Sequence, residues 1–191
     1  DEQATAEALI TRRIESRQPA AYLTKEAWLQ NVPFYVDERT IVPRSFIAEL
    51  LADGEGSGTL DAWLSDTTHK VLDLCTGNGS LAIIAAMAFP EIVVDAADIS
   101  EDALAVARIN VDRHRLGQRI TLHRADLFGD LRGPYDLILC NPPYVNATSM
   151  AALPAEYRAE PALALAGGAD GMNLVRRILR DAPQRMSADA V

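Results

Sequence analysis

The sequence predicts an α/β fold, a parallel sheet with helices on both faces, and three observations carry that expectation. From residue 69 onward, short apolar runs alternate with longer helical patterns, the sequence form of strand–crossover–strand units. A turn with two glycines, Asp73-Leu74-Cys75-Thr76-Gly77-Asn78-Gly79-Ser80, joins the first run to the first long helix. The last run, Tyr135 to Cys140, ends on Asn141-Pro142-Pro143-Tyr144, where two prolines without backbone N–H groups stop a ladder abruptly.

The amino-terminal part reads differently. Residues 4–18 carry Ala4, Ala8, Leu9 and Ile14 among charges, an amphipathic helix closed before Pro19. A connector with Tyr22, Leu23, Trp28 and Leu29 follows. Residues 32–36 and 40–42 flank Asp37-Glu38-Arg39 and predict a β-hairpin, confined by Pro33 and Pro43 to a sheet edge or a separate ribbon. Ser45 caps a short helix over 46–51, Asp53 to Gly58 reads as a surface loop, and Leu60, Trp63 and Leu64 as one helical turn.

The regular part then predicts strands over 70–74, 92–97, 119–123 and 135–140. Helices span 81–89, ended by Pro90, and 101–115, capped by Ser100 and ended by Gly117. After Tyr144 the pattern dissolves into a loop-rich stretch over 145–170 with one helical turn near 154–158; long irregular segments of this kind are usually functional. Gly167, Gly168 and Gly171 lead into a helix over 172–180, and residues 188–191 look like a turn into a further strand.

Composition narrows the function. The formal charge is −9, from 27 acidic and 18 basic residues, which argues against a broad duplex-binding surface and suits a small-molecule ligand or a basic protein partner. No run of 18 apolar residues and no basic-then-apolar start is present, so neither a membrane span nor a signal peptide is expected. Cys75 and Cys140 lack metal spacing, and His69, His114 and His123 form no ligand cluster; no metal is expected, and two strand-borne thiols fit a reduced, cytoplasmic setting.

The glycine turn lacks the third glycine of a dinucleotide site, since Ala82 stands there, and Asp73 would repel a diphosphate. A carboxylate in that place suits a cationic, amine-bearing ligand, which points away from NAD and towards S-adenosylmethionine. Asp98, followed by Ile99, ends the second strand where a carboxylate can accept both hydroxyls of a ribose. Asp126 can accept from an adenine amino group while Leu127 covers the ring. Singly, each acid is an ordinary turn residue. Three at consecutive strand ends are harder to obtain by chance.

This set, with the N-P-P-Y elbow, resembles the HemK/PrmB family of class I S-adenosylmethionine-dependent protein-(glutamine-N5) methyltransferases. Residues 36–45 resemble that family's link between a helical amino-terminal domain and the catalytic domain, and residues 150–161 resemble the PrmB branch. The resemblance implies a Rossmann-like sheet and three segments: 1–31 as the remnant of a helical substrate-recognition domain, 32–44 as a hairpin linker, and 45–191 as a catalytic domain without its last three strands. It further implies S-adenosylmethionine held by residues 73–79, Asp98, Ile99, Asp126, Leu127 and Asn141, with S-adenosylhomocysteine as product. The resemblance to the PrmB branch implies as acceptor a glutamine in a basic large-subunit ribosomal protein during assembly. Asn141 and the Pro142 carbonyl would accept hydrogen bonds from the glutamine NH₂, Pro143 would keep the elbow rigid, and Tyr144 would stack on the flat amide. Arg44 and Glu160 are either walls of the acceptor groove or ordinary surface charges. Three alternatives stay open: a peptide-release factor as acceptor, an exocyclic amine of rRNA or DNA, and a fragment that binds the cofactor without turnover.

Overall fold

A computed structural model describes residues 2–52, 60, 64 and 67–191. Helix α1 (Glu2–Ser16) buries no side chain, and α2 (Ala20–Thr24) starts directly after Pro19. Strands β1 (Ala27–Leu29) and β2 (Val32–Phe34) form an antiparallel ribbon in which Ala27 faces Phe34 and Leu29 faces Val32. The two-residue turn between them, Gln30-Asn31, takes positive φ at both positions, 48° and 59°, which matches the natural twist of a hairpin.

The hairpin therefore lies earlier than the sequence predicts. Residues 36–42 do not form its second strand, because Asp37 offers the backbone another partner. Its carboxylate accepts from the Arg39 amide, the Arg39 guanidinium and the Tyr35 hydroxyl, and its carbonyl accepts from the Thr40 amide. Helix α3 (Phe46–Ala52) follows, with Ser45 Oγ accepting from the Ile47 amide at 3.1 Å. The expected loop over Asp53 to Gly58 and residue Trp63 fall outside the described residues; the Leu64 amide bonds the Leu60 carbonyl.

The centre is a four-stranded, all-parallel sheet in the order β5-β4-β3-β6: β3 (Lys70–Leu74), β4 (Val93–Asp98), β5 (Ile120–Arg124) and β6 (Leu137–Cys140). Strand β3 is buried from Val71 to Leu74, as expected of a central strand covered on both faces. Alternation sends Val71 to one core with Phe34, Ile83, Val94 and Ile120, and Leu72 and Leu74 to the other with Leu127, Tyr135 and Ile178. Helix α4 (Ser80–Ala88) is apolar and buried from Ser80 to Ala86, so it belongs to the interior. Helix α5 (Glu101–Arg113) carries Ser100 as its cap, Glu101 and Asp102 in its first turn and Arg113 in its last, all complementing its dipole. The chain leaves it through His114 and through Arg115 at φ 58°, two residues before the predicted Gly117.

The stretch after Tyr144 is not an irregular loop. It holds β7 (Val145–Asn146), α6 (Ala147–Ala151), α7 (Ala155–Arg158), a 3₁₀ turn at Ala162–Ala164 and β8 (Ala166–Gly168) parallel to β7. Each piece is too short for periodicity to reveal. Gly171 locks this unit to the elbow: at φ 81°, an added Cβ would lie 2.3 Å from the Tyr144 carbonyl oxygen. We expect Gly171→Ala to cost about 2–4 kcal/mol of stability from left-handed strain and overpacking. Chemical denaturation checks this; an unchanged midpoint would show that the elbow can yield there.

Helix α8 (Asn173–Asp181) covers the second core, and the chain then runs along β6. Tyr135 bridges Met186 in parallel, and the Ile138 amide bonds the Val191 carbonyl.

Candidate active site

The chain order β3–β4–β5 on one side and β6 on the other makes the gap between β3 and β6 the switch point of the sheet, where a crevice opens at the strands' carboxyl ends. A cavity of about 250 Å³ occupies it. Cys75, Thr76, Gly77 and Asn78 line it after β3, Asp98 and Ile99 after β4, Asp126 and Leu127 after β5, and Asn141 and Pro143 after β6. Asp73, Leu74 and Gly79, expected on the same wall, are not among its lining residues.

Asp73 shows why. It alternates onto the face of Val71, beneath α4, and is fully buried. Its Oδ2 accepts from the Thr76 hydroxyl and from the Ala82 amide at 3.2 Å, so the carboxylate caps the glycine turn and the start of α4. The expectation that it faces a cationic ligand gives way to a role in organising the turn. Burial pushes its pKa up from 3.8 to about 7, against the lowering effect of those two hydrogen bonds. Between those two values the folded chain keeps a proton that the unfolded chain has lost, so this group's contribution to stability falls as pH rises. We expect wild type to lose stability relative to Asp73→Asn as pH rises from 3.8 towards 7. Paired denaturation curves read this directly; a pH-independent difference would refute it.

Asp98 closes the opposite side of the turn. Its Oδ2 accepts from the Gly77 amide and its Oδ1 from the Ser100 amide, both at 2.9 Å. Each oxygen retains a second lone pair for a ligand hydroxyl. Burial raises its pKa, and the backbone amides of Ser100, Gly77 and Ile99 counter that shift. Asp126 is placed at the rim, where Arg177 of α8 pairs with it at 2.9 Å and also lines the cavity. That ion pair joins residues too far apart in the chain for spacing to reveal.

Other contributors were equally hidden. Asn110 stands on the buried face of α5, a polar residue among apolar ones, and its amide bonds the carbonyls of Tyr35 and Asn78 and accepts from the Tyr35 amide. It thus ties the β2 exit to the glycine turn. Thr40 Oγ1 and Asn78 Nδ2, both buried, lack a hydrogen-bond partner among the described residues and line the cavity, whereas Asp73 Oδ1, likewise buried and without a partner among them, does not line it. Buried polar atoms without partners are costly, so Thr40 and Asn78 await a ligand's polar groups. With Asp98 for hydroxyls and apolar Ile99 and Leu127 beside it, the donor set fits an adenosine that carries an amino-acid end.

A second cavity of about 320 Å³ adjoins the first, lined by Pro142, Tyr144, Val145, Leu153, Tyr157 and Leu165. Ile41, Arg44, Asn141 and Ala164 line both. Asn141 therefore stands in the partition, its Nδ2 donating to the Arg44 carbonyl at 3.5 Å. Cys75 and Cys140 flank this partition as free thiols, and hydrogen bonding to Cys75, together with burial, keeps the Cys140 thiol protonated. Among the described residues no group of His, Cys, Asp or Glu converges on a metal position, and no helix is long and apolar enough to cross a membrane.

Comparison with known proteins gives this geometry a context. The family model "Methyltransferase small domain" matches residues 53–158. A Bordetella pertussis protein named ribosomal protein uL3 glutamine methyltransferase is 59% identical over 186 residues, covering 96% of this chain and 61% of the relative. A Bradyrhizobium diazoefficiens protein of the same name is 56% identical over 189 residues, covering 95% and 58%. The chain thus spans about three fifths of the length of these curated relatives. Among solved structures, a ribosomal protein L11 methylase from Lactobacillus delbrueckii subsp. bulgaricus shares the fold with TM-score 0.53 at 19% identity, over 81% of this chain and 62% of that one.

Proposed function

The chain belongs to the methyltransferase small domain family, and we propose that it methylates the side-chain amide nitrogen of a glutamine in a large-subunit ribosomal protein, uL3. S-adenosylmethionine is the donor and S-adenosylhomocysteine the product. The observation that carries this reading is the position of Asn141 between two adjoining cavities, one with the donor set for an adenosine, the other opening on an exposed tyrosine. The names of the relatives supply the acceptor. The formal charge of −9 suits a basic protein partner. The reading implies a cytoplasmic enzyme.

The cofactor, when bound, supplies a methyl group already activated by its sulfonium. The obstacle is the acceptor, because an amide nitrogen's lone pair is delocalised into its carbonyl. Asn141 Oδ1 and the Pro142 carbonyl accept the two N–H bonds of the glutamine amide, which aims the nitrogen and draws electron density onto it. Tyr144 offers its ring to the amide plane. Among the described residues lining the second cavity none is His, Asp or Glu, so the site works by placement rather than by a general base, and the methylated nitrogen loses one proton to solvent after the S–C bond has broken. Orientation of this kind is worth roughly 7–11 kcal/mol, more than the 10²–10⁴-fold a general base typically gives.

The test is label transfer. The protein is incubated with methyl-labelled cofactor and, separately, with large-subunit ribosomal proteins, release factors and RNA. Label in the ribosomal-protein arm alone supports the proposal; label confined to release factor or RNA replaces it.

A further inference from the structure

We propose that Glu160 and Arg44 form a positioning device that orients the Asn141 amide for the acceptor glutamine, an inference that rests on the glutamine reading above. Glu160 is buried, yet it lies outside any helix or strand, between α7 and the 3₁₀ turn at Ala162. Its Oε2 accepts from Arg44 Nη2 at 2.6 Å, and its Oε1 from Arg44 Nη1 at 2.8 Å and from the Val42 amide at 3.1 Å. Both carboxylate oxygens are thus engaged by a planar fork, the geometry of a fixed rather than a fluctuating pair.

Only the Glu160 end of the pair is buried, while the Arg44 side chain is 42% exposed. Desolvation of the carboxylate offsets much of the attraction, so the pair is a weak source of stability. Its location says more. Glu160 sits in the segment that walls the second cavity, and Arg44 reaches both cavities from the segment after β2. The pair therefore clamps the two sides of the acceptor cavity together. Arg44 also lies over the Tyr157 ring, 5.0 Å from its centre, which fixes the guanidinium against the same wall.

The consequence falls on Asn141. A side-chain amide has a donating and an accepting end, and reversing it would point N–H groups at the N–H groups of a glutamine. The Arg44 carbonyl takes the Asn141 Nδ2 donor at 3.5 Å, so Oδ1 is the end left to accept from the substrate. Glu160 holds the Arg44 guanidinium, and through it the main chain of Arg44, whose carbonyl turns Asn141. Glu160 lines neither cavity, so it acts through Arg44 rather than on the reacting atoms.

The test uses Glu160→Gln, which keeps the shape and removes the charge, Arg44→Lys, which keeps the charge and removes the fork, and Arg44→Met, which removes both. With the cofactor and a glutamine-bearing acceptor protein, Glu160→Gln is expected to lower kcat on the order of 10²-fold, as small misplacements of reacting groups do. Acceptor KM and calorimetric cofactor affinity stay at wild-type values, and Arg44→Lys recovers part of what Arg44→Met loses. If Glu160→Gln does not fold, the two Arg44 variants decide the question. Wild-type kcat in the folded variants overturns the proposal, and so does a loss that disappears below each variant's melting temperature. Asn141→Ala, run alongside, separates the two levels: its inactivity beside fully active Glu160 and Arg44 variants removes only the clamp. Its normal activity removes the glutamine reading as well.

Discussion

Asn141→Ala lowers methyl transfer by about 10²–10³-fold, the cost of removing one preorganised group from a reaction centre. Cofactor affinity stays near wild type. The asymmetry follows from the partition. On the acceptor side, the proposed mechanism makes Asn141 one of the two hydrogen-bond acceptors that aim the nitrogen. On the cofactor side it is one wall among many, and the polar residues there include Thr40, Asn78 and Asp98. Turnover with labelled cofactor and titration calorimetry on the same sample measure the two halves. Weakened cofactor binding with unchanged turnover at saturation would place Asn141 on the donor side only.

Asp98→Ala has the opposite signature. Cofactor affinity falls by about 2–3 kcal/mol, on the order of 10²-fold, because a charge-assisted hydrogen bond to a ligand hydroxyl is lost. The free chain suffers too. Asp98 is the common acceptor of the Gly77 and Ser100 amides, so its removal loosens the glycine turn and the entry to α5 together. Turnover at saturating cofactor recovers, since no group near the acceptor has changed. Calorimetry decides: unchanged affinity would take the ribose role from Asp98.

Much of this frame was legible because its signals are local. The parallel strands read as short, mainly apolar runs between helical patterns, Ser100 announced α5, and the double proline marked the end of β6. Asp98, Gly77 and Asn141 reached one cavity because each lies at or just past the carboxyl end of a strand of the same sheet. The failures share a cause as well. Gln30-Asn31 turns the hairpin without the glycine that usually betrays such a turn, so Asp37-Glu38-Arg39 looked like the better candidate. The chain neighbourhood of Asp73 points to the glycine turn and its ligand, whereas strand alternation, which puts it with Val71, sends it under α4. Glu160 with Arg44, and Arg177 with Asp126, pair across long separations, and no single-sequence spacing exposes such partners.

The central claim is that Asn141 and the Pro142 carbonyl select a planar amide nitrogen, and that this nitrogen is a glutamine's. The most direct measurement is peptide mapping by mass spectrometry of purified large-subunit proteins after incubation with the protein and S-adenosylmethionine. The account predicts the mass of one added methyl group on one glutamine side chain of uL3, absent from the reaction run with Asn141→Ala. Methylation of another residue type, or none on any glutamine while calorimetry shows the cofactor bound, would contradict it.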